Sequence, residues 1–181
     1  MSLTDDVIIS RTATWIKSVV IDCNFCPFAA KAMLRKSVRY VVQRNATVEN
    51  TLETFLAELR HLDTSDDIET TLIILPDGFD IFRKYLDLVG MAEKINTDQG
   101  YDGIYQIASF HPEYRFANST LDDPANYTNR SIYPMLHILR EESITKVLEH
   151  YKDAHKIPEN NIAFTREKGL VYMQALRASC F

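Results

Sequence analysis

A chain of 181 residues, 46% hydrophobic and 25% charged, suits a single domain with room for a real hydrophobic core. A net charge of −5 and an isoelectric point near 5.5 argue against a nucleic-acid surface, although a local basic pocket for a small anion remains allowed. No apolar run approaches the roughly 18 residues of a membrane span, and Asp5 and Asp6 sit where an export signal would need positive charge.

In chain order, residues 4–21 read as a helix. Thr4 or Ser2 is placed to cap it, Asp5 and Asp6 favour its positive end, and Ile8, Trp15, Ile16, Val19 and Val20 form an apolar face. The pattern breaks at Cys23-Asn24-Phe25-Cys26-Pro27-Phe28, and Pro27 suits the first turn of a short helix to about Arg35. Residues 37–43 are rich in β-branched and aromatic side chains and predict a strand. Thr47 caps a helix with Val48, Leu52, Phe55, Leu56 and Leu59 on its face. Residues 70–75 form an unbroken apolar run after two threonines, which predicts a strand buried on both faces.

After the turn at Pro76-Asp77-Gly78, a long helix runs to about Asn96, and residues 104–110 predict a third strand. Pro134 suits the first turn of a helix through Glu141, and Ser143 is placed to cap another. Pro158 starts one more, ended by Gly169. The expected fold is α/β: one domain over residues 1–181 with a small, mostly parallel sheet of three to four strands, ordered strand-helix-strand-helix-strand. Helices from both ends of the chain cover it. Ligands of open α/β sheets bind beyond the carboxyl ends of the strands, which draws attention to Asp77 and His111.

The stretch from Phe110 to Glu141 interleaves histidines, arginines, asparagines and carboxylates with large aromatics and contains no glycine, unlike a solvated linker. On a helix, His137, Arg140 and Glu141 would share one face, giving a histidine with a carboxylate partner as a general base or metal ligand requires. The plainer reading is an exposed ion pair. Asn126, Asn129 and Arg130 offer a fork of donors for a carboxylate or phosphate, or else the asparagines simply build turns that Arg130 closes. Tyr114 stands beside them, more as a packing group than a stacking platform.

Three cysteines make no disulfide framework, and with no export signal the expected setting is a reducing cytoplasm; the sequons at Asn45, Asn118, Asn126 and Asn129 are then chance matches. Cys23 and Cys26 have the spacing of a redox dithiol, but a helix rather than a strand precedes them. Cys26 alone, at a helix start beside Pro27, is the more interesting thiol, against the reading of a small buried hydrophobe. Only five glycines and no phosphate-cradling pattern argue against a nucleotide site.

Several segments together resemble a bacterial family known as domain-of-unknown-function family 1415. They are residues 15–29 with the core Asn24-Phe25-Cys26-Pro27-Phe28-Ala29, Glu69-Thr70-Thr71-Leu72, residues 108–116, Asp122-Asp123, residues 126–130, and residues 134–143. The resemblance covers nearly the whole chain and implies no activity. It marks Cys26, His111, Arg130, His137, Arg140 and Glu141 as pattern positions, and Cys23 departs from it.

These readings converge on an enzyme with one pocket built from Cys26, His111 and residues 126–141, acting on a small anionic substrate by hydrolysis or transfer. In one form Cys26 is a nucleophile, a histidine its base, and Arg130 or Arg140 the anion clamp. In the other, Cys26, His111 and His137 hold a divalent metal (zinc, iron or manganese), with Glu141 or Asp123 behind them. The competing class is a small-anion binding or regulatory module without chemistry, in which Arg130, Asn126 and Asn129 hold the anion, the histidines are structural and Cys26 lies buried in apolar surroundings.

Overall fold

The structure, a computed structural model, describes residues 3–149, 151 and 153–181. Ser2, the second capping candidate, and His150 lie outside the described residues. Helix α1 (Asp5–Trp15) starts at Thr4, whose side chain makes no capping bond; Asp5 and Asp6 occupy its first turn. The expected continuous helix changes pitch at Ile16–Ile21, a π-helical segment that ends with the Asp22 amide bonded to the Lys17 carbonyl at 2.9 Å. Trp15, Ile16, Val19 and Val20 are all buried across this change.

Helix α2 (Ala29–Leu34) and strand β1 (Val38–Val42) follow, then α3 (Val48–Thr64), which opens with a reciprocal capping box between Thr47 and Asn50. Strand β2 (Thr70–Ile74) is buried at every position, and α4 (Phe82–Asp98) leads to β3 (Tyr105–Phe110). The turn between β2 and α4 needs Gly78: its φ is 117°, and a Cβ there would lie 2.7 Å from the Ala46 carbonyl oxygen.

The largest departure from expectation is strand β4 (Met135–Arg140), where Pro134 suggested a helix. A short apolar run reads equally as a helix turn or a buried strand, and Pro is accepted before either. Tertiary pairing decides: β4 lies between β2 and β3, antiparallel to both, and satisfies the backbone edges of each. The sheet order is β1-β2-β4-β3, with β1 and β2 parallel. Strands β1, β2 and β3 do run the same way, but the inserted strand makes two of the three pairings antiparallel, so the sheet is mixed rather than mostly parallel.

Helix α5 (Glu141–Leu148) begins directly after β4, with Ser143 inside it rather than capping it; α6 (Ile157–Lys168) and α7 (Leu170–Ala178) close the chain. Helices α3 and α4 pack Phe55, Leu59, Tyr85 and Leu88 on Leu136, Ile138 and Ile73. The opposite face carries Leu72, Ile74 and Met135 under α1, the π segment and the terminal helix residue Met173. Each fully buried side chain of this size contributes about 1.5–3 kcal/mol. The two α layers matter for the site because they assign every strand residue to one side of the sheet or the other.

Candidate functional site

Alternation along β4 puts His137 and Leu139 under α1 and α2, and Leu136, Ile138 and Arg140 toward α3. His137 and Arg140 therefore share no face, and Glu141 starts the next helix. Arg140 is a helix cap. Its Nε donates to the Ile68 carbonyl at 3.0 Å, and one Nη2 reaches the carbonyls of Leu62 and, at 2.9 Å, Ser65. Those carbonyls end α3 and the loop after it, where a cation is favoured. Nη1 donates to the Tyr105 hydroxyl, whose pKa burial and the Asp63 carboxylate push up to about 12.

His111 is fully buried on the α4 side, its ring 4.9 Å from that of Tyr85 and 5.1 Å from that of Phe82. Nε2 donates to the Phe79 carbonyl and Nδ1 accepts from the Glu113 amide, each at 2.9 Å. Both nitrogens are committed and the ring is neutral, with burial lowering its pKa. Phe79 has a φ of 57°, unfavourable for a bulky residue, and His111 holds that turn. The structure does not bring Cys26 and His111 into one cluster: His111 packs on Phe82 and Tyr85 of α4, and Cys26 packs with Trp15 and Leu72 on the other face of the sheet. The expected metal set Cys26, His111 and His137 is not assembled: among the described residues no three His, Cys, Asp or Glu side chains cluster to hold a metal.

The polar stretch mostly organises itself. Asn126 is fully buried: its Oδ1 accepts from the Phe116 amide and Ser119 hydroxyl, and its Nδ2 donates to Thr120. Asn129 ties to Ser109 and Thr128. Arg130, only 8% exposed, donates to the carbonyls of Tyr114 and Leu121 and lies over the Tyr127 ring. Tyr114 packs between Phe82 and Phe116. Asp123 caps the Pro124–Thr128 turn and pairs with Arg166, whose hydrogen bond holds the carboxyl below its ordinary pKa. The turn-building alternative accounts for the asparagines and for Arg130.

What remains is a partly enclosed cavity of about 130 Å³ between the sheet and the N-terminal helices. Trp15 and Val20 form one wall, Cys26, Phe28, Ala29 and Ala32 a second, and Leu72, Ala108 and His137 the floor. Small residues leave the space: Ala29 and Ala32 on α2 face Ala108 on β3. The uncovered part of the His137 ring borders this cavity rather than bulk water, and burial lowers its pKa to about 3.

Thr70 fixes the His137 tautomer. Its single hydroxyl hydrogen goes to the Ile138 carbonyl at 2.7 Å, so it meets Nε2 of His137, at 2.6 Å, as an acceptor. Nε2 therefore carries the proton, and Nδ1 is a bare acceptor with no partner among the described residues. Such an orphan costs about 1–3 kcal/mol.

Cys26 also borders two surface clefts, one toward Phe116 and Asn161 and one toward Asn24 and Tyr151, so it stands between the cavity and the outside. Asn161 Nδ2 donates to the Phe25 carbonyl at 2.9 Å, and Asn24 Nδ2 to the Tyr151 hydroxyl at 3.1 Å, pinning the segment that carries it. Burial raises the Cys26 thiol pKa, partly offset by the Phe28 and Ala29 amides. Cys23 is buried and free, and Cys26 is likewise unbridged. Sequence reasoning found Cys26 and His137 but missed Thr70 and Ala108. A threonine opening a buried strand and an alanine among large strand residues were the available signals.

The family model described as "Protein of unknown function (DUF1415)" matches residues 7–175. The chain belongs to this family. The match includes the whole cavity, from Trp15 to Leu139. No curated protein and no solved structure matches the chain. No helix among the described residues is long and apolar enough to cross a membrane.

Proposed function

We propose that this family member is a binding module for a small, largely apolar molecule held in the cavity between Cys26 and His137. The observation that carries the reading is a benzene-sized apolar void kept beside a buried, unpaired imidazole nitrogen. Apolar cavities near 150 Å³ stay dry and take up benzene. The lining is almost entirely hydrocarbon, so an anion, which would lose its hydration there, is a poor occupant. Catalysis has weak support, because His137 is neutral far below pH 7 and the Cys26 thiol is held protonated. A cytoplasmic setting suits three free cysteines, and the acidic charge suits a small-molecule rather than nucleic-acid partner.

The test is a toluene titration followed by the methyl NMR signals of Ala29, Ala32, Ala108 and Leu139. Saturable shifts confined to these methyls, abolished in Cys26→Phe, are expected. Unmoved methyls at millimolar toluene would remove the reading.

One observation favours a second reading, in which Cys26 is a nucleophile acting on such a ligand: the backbone amides of Phe28 and Ala29 lower its thiol pKa, against the burial that raises it. Alkylation of Cys26 by iodoacetamide separates the two. A half-maximal rate well below pH 8 would favour the nucleophile, and one above the ordinary thiol value of 9.0 the binding module.

A further inference from the structure

A second site, independent of the apolar cavity, opens where the polar loops meet α4. We propose that it binds a free α-amino acid with an apolar side chain, the α-carboxylate held by Arg130 and Arg115 and the α-ammonium by Glu113 and Asp122. The site is an open cleft of about 530 Å³, within the ~300–1,000 Å³ range of small-molecule sites. Residues 112–115 and residues 121–122 supply its two walls, and Phe82 of α4 also lines it.

Arg130 is the residue that points to a ligand. Its Nε donates to the Tyr114 carbonyl and its Nη2 to the Leu121 carbonyl, each at 2.9 Å, so the guanidinium spans the two walls. Only 8% of the residue is exposed. Nη1 has no hydrogen-bond partner among the described residues, yet it is not one of the sealed polar atoms, so it keeps accessible surface. A permanent charge buried this deeply is costly without a counter-charge, and among the described residues no carboxylate pairs with it. The Tyr127 ring at 4.8 Å compensates only in part. Arg177 adds to the deficit: burial and the charge of Arg130 hold its guanidinium below its ordinary pKa, and its Nε finds only the Ser131 carbonyl. A neutral donor would tie the two loops together without burying a charge.

The rest of the lining sets the ligand class. Glu113, Arg115 and Asp122 are exposed, and their side chains make no hydrogen bond or ion pair among the described residues. The neighbouring Asp123 is instead taken by Arg166 and the Ala125 amide. Two arginines favour a carboxylate. Two carboxylates in the same cleft oppose a simple anion and favour a ligand that brings its own positive charge. An α-amino acid carries both charges on one small molecule, whereas either end of a peptide carries one. Phe82, Pro112 and Leu121, the last 61% exposed, offer apolar surface to its side chain.

The test uses L-leucine, N-acetyl-L-leucine, L-leucinamide and glycine as probes of the intact protein, by calorimetry and methyl NMR. Leucine at millimolar concentration should bind and shift the Leu121 methyls, while the Ala29 and Ala108 methyls of the apolar cavity stay put. N-acetylleucine keeps only the carboxylate, leucinamide only the ammonium, and glycine lacks the apolar side chain; each should bind about tenfold or more weakly than leucine. Arg115→Ala and the double variant Glu113→Gln with Asp122→Asn alter exposed side chains, so both should fold, each with leucine affinity reduced about tenfold. N-acetylleucine or leucinamide binding as tightly as leucine overturns the amino-acid class. Leucine binding that is absent, or unchanged in both variants, overturns the site. Toluene binding in the apolar cavity is untouched by any of these outcomes, so the two readings fail separately.

Discussion

Thr70 and His137 meet at 2.6 Å in a hydrogen bond whose direction is set by a third group, the Ile138 carbonyl. The bond places the neutral imidazole's proton on Nε2, and burial takes the ring's pKa from 6.5 to about 3. The folded state therefore binds fewer protons than the unfolded chain between these values. The stabilising effect is complete above pH 6.5 and is lost as pH falls toward 3, so stability drops with acid. His111, also shifted down, acts in the same direction. Urea unfolding should show a loss of about 2 kcal/mol from His137 alone between pH 7 and 5. The His137→Phe variant should have a flatter profile over that window. A His137 ring that titrates near 6 by NMR contradicts the picture.

Arg140 should behave as a structural residue. Arg140→Met leaves the Leu62, Ser65 and Ile68 carbonyls without their donor. The expected loss is about 2–4 kcal/mol in unfolding free energy. Toluene affinity of the folded protein should be unchanged, and Arg140→Lys should recover little because one ammonium cannot span three carbonyls.

His111 separates the two sides of the sheet. His111→Leu orphans the Phe79 carbonyl and the Glu113 amide and releases a turn that holds Phe79 at positive φ. Thermal unfolding should report a loss of about 2–4 kcal/mol. The reactivity of Cys26 toward iodoacetamide should not change. A large change in that reactivity would place His111 at the thiol after all.

Ala108 offers the converse test. Ala108→Val adds two methyl groups toward the cavity on a strand that favours branched side chains. Stability should rise by about 0.5–1.5 kcal/mol, while toluene binding is lost. A more stable protein with ligand affinity intact would mean that the cavity is not the site.

Local chemistry made much of this fold legible. Thr47 with Asn50, the β-branched run of β1 and the buried run of β2 each carry their own signal. The misread segment was Met135–Arg140, whose strand form depends on edges of β2 and β3 that lie far away in sequence. That single error carried over to the site. Read as a helix, it grouped His137 with Arg140 and Glu141; as a strand, it sends them apart. Cys26 and His137 were visible as unusual residues, whereas a cavity is an absence of side-chain volume that no motif announces. It emerges only when Ala29, Ala32 and Ala108 are brought opposite one another.

The position of β4 also has a consequence for biosynthesis. It is the last strand in the chain but occupies the interior of the sheet, with β2 on one side and β3 on the other. While the ribosome is still making residues before 135, β2 and β3 have no shared partner and each exposes an unsatisfied backbone edge. The nascent chain can assemble only the β1–β2 pair and its helices. Completion waits for a strand that must thread between two waiting neighbours. Chains released early, without β4, are expected to be substrates for chaperones and proteases rather than smaller folded domains.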